Sequence, residues 1–249
     1  MKRTAFYALS VIPEDFHTWE YLENSRTPDA YNRIVKGDAD IIFVAQPSGG
    51  QKKRAEESGV TLIYTPFARE AFVFIVNADN PVNSLTEQQV RDIFSGAITN
   101  WRTVGGNDQE IQTWQRPEDS GSQTVMQSQV MKNVRMISPQ ETEVASMMEG
   151  MIKVVAEYRN TNNAIGYTFR YYATQMNDDK NIKLLAINGI APTAENIRNG
   201  KYPYIVDAFM VTRENTTSET QKLLEWFLTP QGQSLVEDVG YVPMYKTLP

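Results

Sequence analysis

Short, wholly apolar runs alternate along the chain with stretches in which apolar residues recur every three or four positions. The first pattern fits strands buried on both faces and the second fits amphipathic helices. Their alternation predicts an α/β protein whose sheets are mixed but mostly parallel and flanked by helices. Residues 39–45 read as a strand, closed by Gln46, Pro47, Ser48, Gly49 and Gly50. A charged helix is expected over 51–58, ended by Gly59, and a strand over 60–64. Residues 71–76 form a longer apolar strand that runs into Asn77-Ala78-Asp79-Asn80-Pro81, a cluster that breaks regular structure.

Beyond that break, Ser84 and Glu87 stand in capping-box spacing ahead of a helix with Leu85, Val90, Ile93 and Phe94 on its apolar face. Gly96 marks the end of this helix. Strands are expected over 111–115, 164–168, 182–187 and 204–212, and helices over 123–131, 147–158, 170–176, 218–228 and 231–239. A second break falls at Lys201-Tyr202-Pro203. The two breaks divide the chain into a discontinuous first lobe, residues 1–76 with 204–249, and a second lobe, residues 77–203.

Composition removes whole classes of function. The 249 residues contain no cysteine, which excludes a disulfide scaffold, a thiolate zinc site and a cysteine nucleophile. A lone histidine, His17, cannot supply a multi-histidine metal cage and sits in no catalytic motif. A net charge of −6 argues against a nucleic-acid partner, because phosphate backbones select basic surfaces. No apolar run approaches the roughly 20 residues of a membrane span. Met1-Lys2-Arg3 followed by an apolar stretch has the order of a signal peptide but no small-x-small cleavage site, so it reads as the first folded segment of a mature or trimmed chain. Neither a phosphate-binding Walker loop nor a dinucleotide fingerprint is present, and no cofactor is implied.

The most informative stretch is Arg116-Pro117-Glu118-Asp119-Ser120-Gly121-Ser122-Gln123-Thr124, between an expected strand and an expected helix. A helix start leaves backbone N–H groups unpaired and carries partial positive charge. Gly121 lets a ligand approach the backbone, Ser120 and Ser122 add hydroxyls, and Arg116 offers a planar fork for paired oxygens. These parts would make an anion site. They are equally compatible with Ser120 or Ser122 merely capping the helix while Arg116 pairs with Glu118. A second stretch, Ser25-Arg26-Thr27-Pro28, reads as a helix start with Thr27 as hydroxyl cap and proline in the first turn.

Several of these residues carry a family resemblance. Asp92-Ile93-Phe94-Ser95-Gly96-Ala97-Ile98-Thr99-Asn100-Trp101, followed by Val104-Gly105-Gly106, resembles the phosphate-binding proteins of bacterial phosphate ABC transporters. Arg116-x-x-x-Ser120-Gly121-Ser122 is similar to that family's phosphate loop, and Ala164-Ile165-Gly166-Tyr167 and Tyr202-Pro203 fall in its order. The resemblance implies a two-lobed, type II periplasmic-binding-protein fold with a ligand cleft between the lobes. It implies a non-enzymatic, extracytoplasmic protein that captures inorganic phosphate and delivers it to membrane permease subunits. It further implies Arg116, Ser120, Gly121 and Ser122 as ligands from the second lobe, with Glu118 orienting Arg116, and Thr4, Ala5 and Thr27 as ligands from the first. One departure stands out. Where the family's best-studied members carry an acid that accepts the proton of phosphate, this chain has Val44-Ala45-Gln46-Pro47. Another oxyanion (sulfate, molybdate or a phosphonate) is therefore the alternative ligand, and a phosphate-sensing or adhesion module the alternative role.

Overall fold

The computed structural model describes residues 25–132, 134–139, 148–157, 162–176, 179–245 and 247. In chain order the helices are α1 (Thr27–Lys36), α2 (Gly49–Glu57), α3 (Glu87–Ser95), α4 (Gly121–Val125), α5 (Met148–Glu157), α6 (Ala194–Arg198), α7 (Ser218–Phe227) and α8 (Pro230–Asp238). The strands are β1 (Ile41–Val44), β2 (Leu62–Asn77), β3 (Ser84–Leu85), β4 (Gln112–Thr113), β5 (Ala164–Phe169), β6 (Ile182–Leu184), β7 (Ala186–Ile187), β8 (Ile205–Arg213) and β9 (Val242–Pro243). Single π-helical segments follow α4 (Met126–Met131) and β5 (Tyr172–Met176).

The chain forms two compact units, Met1–Arg69 with Asp207–Pro249, and Glu70–Val206. These divisions fall inside β2 and β8, upstream of the 77–81 cluster and downstream of Lys201-Tyr202-Pro203. The physical reason is strand continuity. The expected strands over 60–64 and 71–76 are one 16-residue strand, β2, whose first part pairs with β9 through Ala68 and Arg69. Its second part pairs with β5 from Phe72 to Val76.

In the first unit, β1 lies antiparallel to β8, with Ile42 opposite Val211 and Phe43 opposite Met210. The two-residue period of β8 then serves two clusters. Met210 packs with Phe67, Ala68, Leu224 and Val236, while Val211 packs with Tyr31, Ile34 and Ile42. Helix α1 is thus buried through Tyr31 and Ile34, and α7 and α8 through Leu224 and Val236.

In the second unit, residues 71–76 of β2 are completely inaccessible to solvent. This is the expected consequence of an apolar run covered on both faces. β5 lies antiparallel to β2 and parallel to β4, β6 lies antiparallel to the end of β2, and β3 pairs in parallel with β7. Antiparallel ladders therefore prevail where a mostly parallel sheet was expected. Strand–helix alternation says that a helix intervenes; it does not say that consecutive strands become neighbours. The partners of β2 (β5, β6, β8 and β9) come from remote stretches of chain.

Local chemistry explains the element ends, with some shifts. Helix α3 is capped by Thr86, whose side chain accepts from Gln89 N–H while Gln89 returns a bond to Thr86 N–H, so the capping box lies two residues beyond the Ser84–Glu87 pair. Ser84 is instead held in β3 opposite Ala186. Gly96 ends α3 with φ 84°, a left-handed conformation that favours glycine. Gly166 in β5 is needed for a different reason: a Cβ there would collide with Met151 Sδ and press on Val155 of α5. Met151 is fully buried.

Candidate anion-binding site

β4 runs parallel to β5, and Trp114 N–H donates to Ile165 O at 2.9 Å, which carries the chain to Arg116. The chain then reverses through Asp119, which adopts φ 64°, a left-handed conformation that aspartate tolerates better than most residues. Ser120 is the N-cap of α4: its extended backbone stops the helix, and its hydroxyl oxygen accepts from Gln123 N–H at 3.2 Å. Thr124 N–H donates to Ser120 O at 2.9 Å, the first regular helical bond. The N–H groups of Gly121 and Ser122 occupy the two positions that neither the cap nor the helix supplies with acceptors.

The side chains around this helix start are buried and incompletely bonded. Arg116 is 8% exposed, and neither Nε nor Nη1 has a hydrogen-bond partner among the described residues. Ser122 is 1% exposed and its Oγ is likewise unpartnered. A buried guanidinium with unused donors is costly unless it meets an acceptor, because desolvation disfavours its charge. Burial accordingly pushes the Arg116 pKa down from 12.5. Two guanidinium donors, two hydroxyls and two backbone N–H groups are thus gathered on one turn. Such a set has the donors to accept a compact oxyanion.

Other groups shape the surroundings. Arg116 N–H donates to Tyr167 Oη at 3.0 Å and to Gln123 Oε1 at 3.3 Å. Tyr167 Oη in turn donates to Gln123 Oε1. A cavity of about 470 Å³ opens beside the turn, with Arg116, Glu118, Gln127, Lys132 and Arg135 among its lining residues. Among the described residues, no cluster of three His, Cys, Asp or Glu side chains is arranged to hold a metal ion.

Of the residues singled out in the sequence, Arg116, Ser120, Gly121 and Ser122 come together on this turn. Ser120 plays the capping part as well. Glu118 does not pair with Arg116: its carboxylate accepts from Gln127 Nε2 at 3.3 Å, and no ion pair joins it to the guanidinium. Thr27 is the first residue of α1, preceded by Arg26 as N-cap with no side-chain cap bond, so its hydroxyl does not cap the helix as expected. Thr4 and Ala5 lie outside the described residues, as does His17. Sequence reasoning missed Tyr167 and Gln123 as partners of Arg116. Gln123 lies seven positions from Arg116 and Tyr167 lies 51, and no spacing rule links residues so far apart.

A model of the PBP superfamily domain matches residues 16–231. The chain belongs to the PBP superfamily. Within it, the phosphate-binding protein PstS of Bacillus subtilis is 31% identical over 209 residues, which cover 84% of this chain and 64% of that protein. The PstS of Borreliella burgdorferi is 26% identical over 184 residues, covering 72% of this chain and 64% of that one. This chain therefore spans a little under two thirds of the length of these relatives. Among solved structures, one described as a phosphate ABC transporter substrate-binding protein with bound phosphate, from Clostridium perfringens, superposes with a TM-score of 0.73 at 25% identity, covering 87% of this chain and 84% of that one. An ABC-type phosphate transport receptor from Vibrio cholerae shares the fold, with a TM-score of 0.64 at 24% identity and coverage of 90% and 85%. The PBP-superfamily fold is thus established by sequence model and by shape.

Proposed function

We propose that this chain captures inorganic phosphate outside the cytoplasm and delivers it to the permease subunits of an ABC transporter, without covalent chemistry. The observation that carries this reading is the buried Arg116 guanidinium whose Nε and Nη1, like the Ser122 hydroxyl at the start of α4, have no partner among the described residues. The similarity to proteins named for phosphate binding supports phosphate as the oxyanion. Among the described residues no helix is long and apolar enough to cross a membrane, and membrane contact in this reading is made through the permease. Charge-assisted hydrogen bonds contribute roughly 1.5–3 kcal/mol each, so three or four of them support micromolar binding once association costs are met.

In this reading Arg116, the Ser120 hydroxyl, Gly121 N–H and Ser122 hold the anion, with Thr4, Ala5 and Thr27 as the further ligands that the family resemblance implies. Calorimetric titration with phosphate tests it: wild type binds, and Arg116→Ala binds at least about 100-fold more weakly, since a buried guanidinium and two charge-assisted bonds are lost. Wild-type affinity in a folded Arg116→Ala variant overturns the assignment. Gln46, which is neutral where the family's best-studied members carry an acid, favours a second reading in which sulfate also binds. Excess sulfate in the same titration decides it: competition supports dual specificity, and indifference leaves phosphate alone.

A further inference from the structure

The phosphate reading accounts for the donors of the turn but not for the network behind it. Tyr167 has no solvent exposure, Gln123 is 5% exposed, and their polar ends meet at the backbone N–H of Arg116. The tyrosine hydroxyl accepts from Arg116 N–H and donates to Gln123 Oε1, and Gln123 Oε1 accepts from both. Arg116 opens the turn and Gln123 lies in the first turn of α4, so this triangle ties one end of the loop to the other.

The tyrosine is a fixed post. Its ring lies 5.4 Å from that of Phe72 on β2 and 5.6 Å from that of Phe94 on α3, centroid to centroid. It leaves the strand next to Gly166, where the lack of a side chain lets α5 sit against β5. Burial pushes the hydroxyl pKa up, so it keeps its proton, and hence its bond to Gln123, at any physiological pH. Gln123 is anchored independently, because its own N–H is held by the Ser120 cap.

Building on the phosphate reading, we infer that Tyr167 and Gln123 are positioning residues: they set the pose of Arg116 against the start of α4, so that its guanidinium and the α4 N–H groups aim at the same oxyanion. Neither need touch the ligand. This assigns the tyrosine of the Ala164-Ile165-Gly166-Tyr167 segment a role in affinity beyond core packing.

The test is a double-mutant cycle read by titration of the full chain with inorganic phosphate, together with circular dichroism. Tyr167→Phe, which deletes only the hydroxyl, is expected to weaken binding about tenfold, since small misplacements of a charged ligand-holding group are expensive. In the Arg116→Ala background, assayed at millimolar phosphate, the same change is expected to alter binding less than twofold, because there is no guanidinium left to aim. A purely structural role for Tyr167 would weaken binding equally in both backgrounds. Should Tyr167→Phe not fold, Gln123→Leu enters the cycle in its place with the same expectations. Wild-type affinity in a folded Tyr167→Phe, or an undiminished loss in the Arg116→Ala background, overturns this inference while leaving the phosphate reading intact. Absence of phosphate binding by the wild type overturns both.

Discussion

Two helix starts in this chain look alike on paper and differ in the folded protein. At α1, Arg26 precedes Thr27 and Pro28, and at α4, Arg116 precedes Ser120, Gly121 and Ser122. In both, an arginine and hydroxyl residues stand before a helix. Arg26, however, is largely in water, its side chain 64% exposed, and it pairs with Asp29 at 2.9 Å. Arg116 is buried and its Nε and Nη1 have no partner among the described residues. In the proposed reading, an arginine beside a helix start serves as a ligand group when folding strips its water and leaves its donors unspent. Exposed ion pairs such as Arg26–Asp29 contribute little on any account.

Burial alone is not the signal either. Glu70 is 3% exposed, but its two carboxylate oxygens accept from Ala71 N–H at 2.7 Å and Tyr171 N–H at 2.8 Å. It is a buried ionisable group whose two oxygens each accept a backbone hydrogen bond within the protein. The contrast with Arg116 marks the proposed site: a buried charge whose Nε and Nη1 find no partner among the described residues.

Variants of these groups can break or sharpen the comparison. After Arg116→Ala, the largest loss is expected from Ser122→Ala, about tenfold in phosphate affinity by calorimetry, as one buried hydroxyl donor disappears. Thr27→Ala is expected to cost less, about threefold, and Arg26→Ala less than twofold because its pair is solvent-screened. If Arg26→Ala weakens binding as much as Ser122→Ala does, the distinction between the two helix starts collapses. Glu70→Gln is expected to leave phosphate affinity within twofold of wild type and to act on stability instead. Burial pushes the Glu70 carboxyl up from the ordinary 4.5 to about 7. Between those values the folded state holds a proton that the unfolded chain has released, so this group makes stability fall as pH rises from about 4.5 to about 7. Melting temperatures across that range should show a shallower decline for Glu70→Gln than for wild type. An identical pH profile would show that Glu70 does not titrate there.

Much of this was legible in the sequence. The apolar runs placed β1, β5 and the buried half of β2, and helical periodicity placed α3, α7 and α8 to within a few residues. The turn holding Arg116 and Ser122 stood out because a strand, a Ser-Gly-Ser triplet and a helix follow one another directly. What the one-dimensional pattern could not supply were relations across distance. It split β2 in two because Thr65 and Pro66 interrupt the apolar pattern, although Leu62–Asn77 is one continuous strand. It paired Arg116 with Glu118 because they are near in sequence, whereas Glu118 accepts from Gln127.

The sequence by itself determined most of the elements and the residue types gathered on the Arg116–Ser122 turn, since these follow from periodicity, turn chemistry and side-chain inventory along a short stretch of chain. Only the tertiary structure decided strand direction, the place where β2 and β8 pass from one unit to the other, and which arginine is buried with donors to spare. Those properties depend on what packs against each group, and here the decisive neighbours of Arg116, Tyr167 among them, arrive from strands far along the chain.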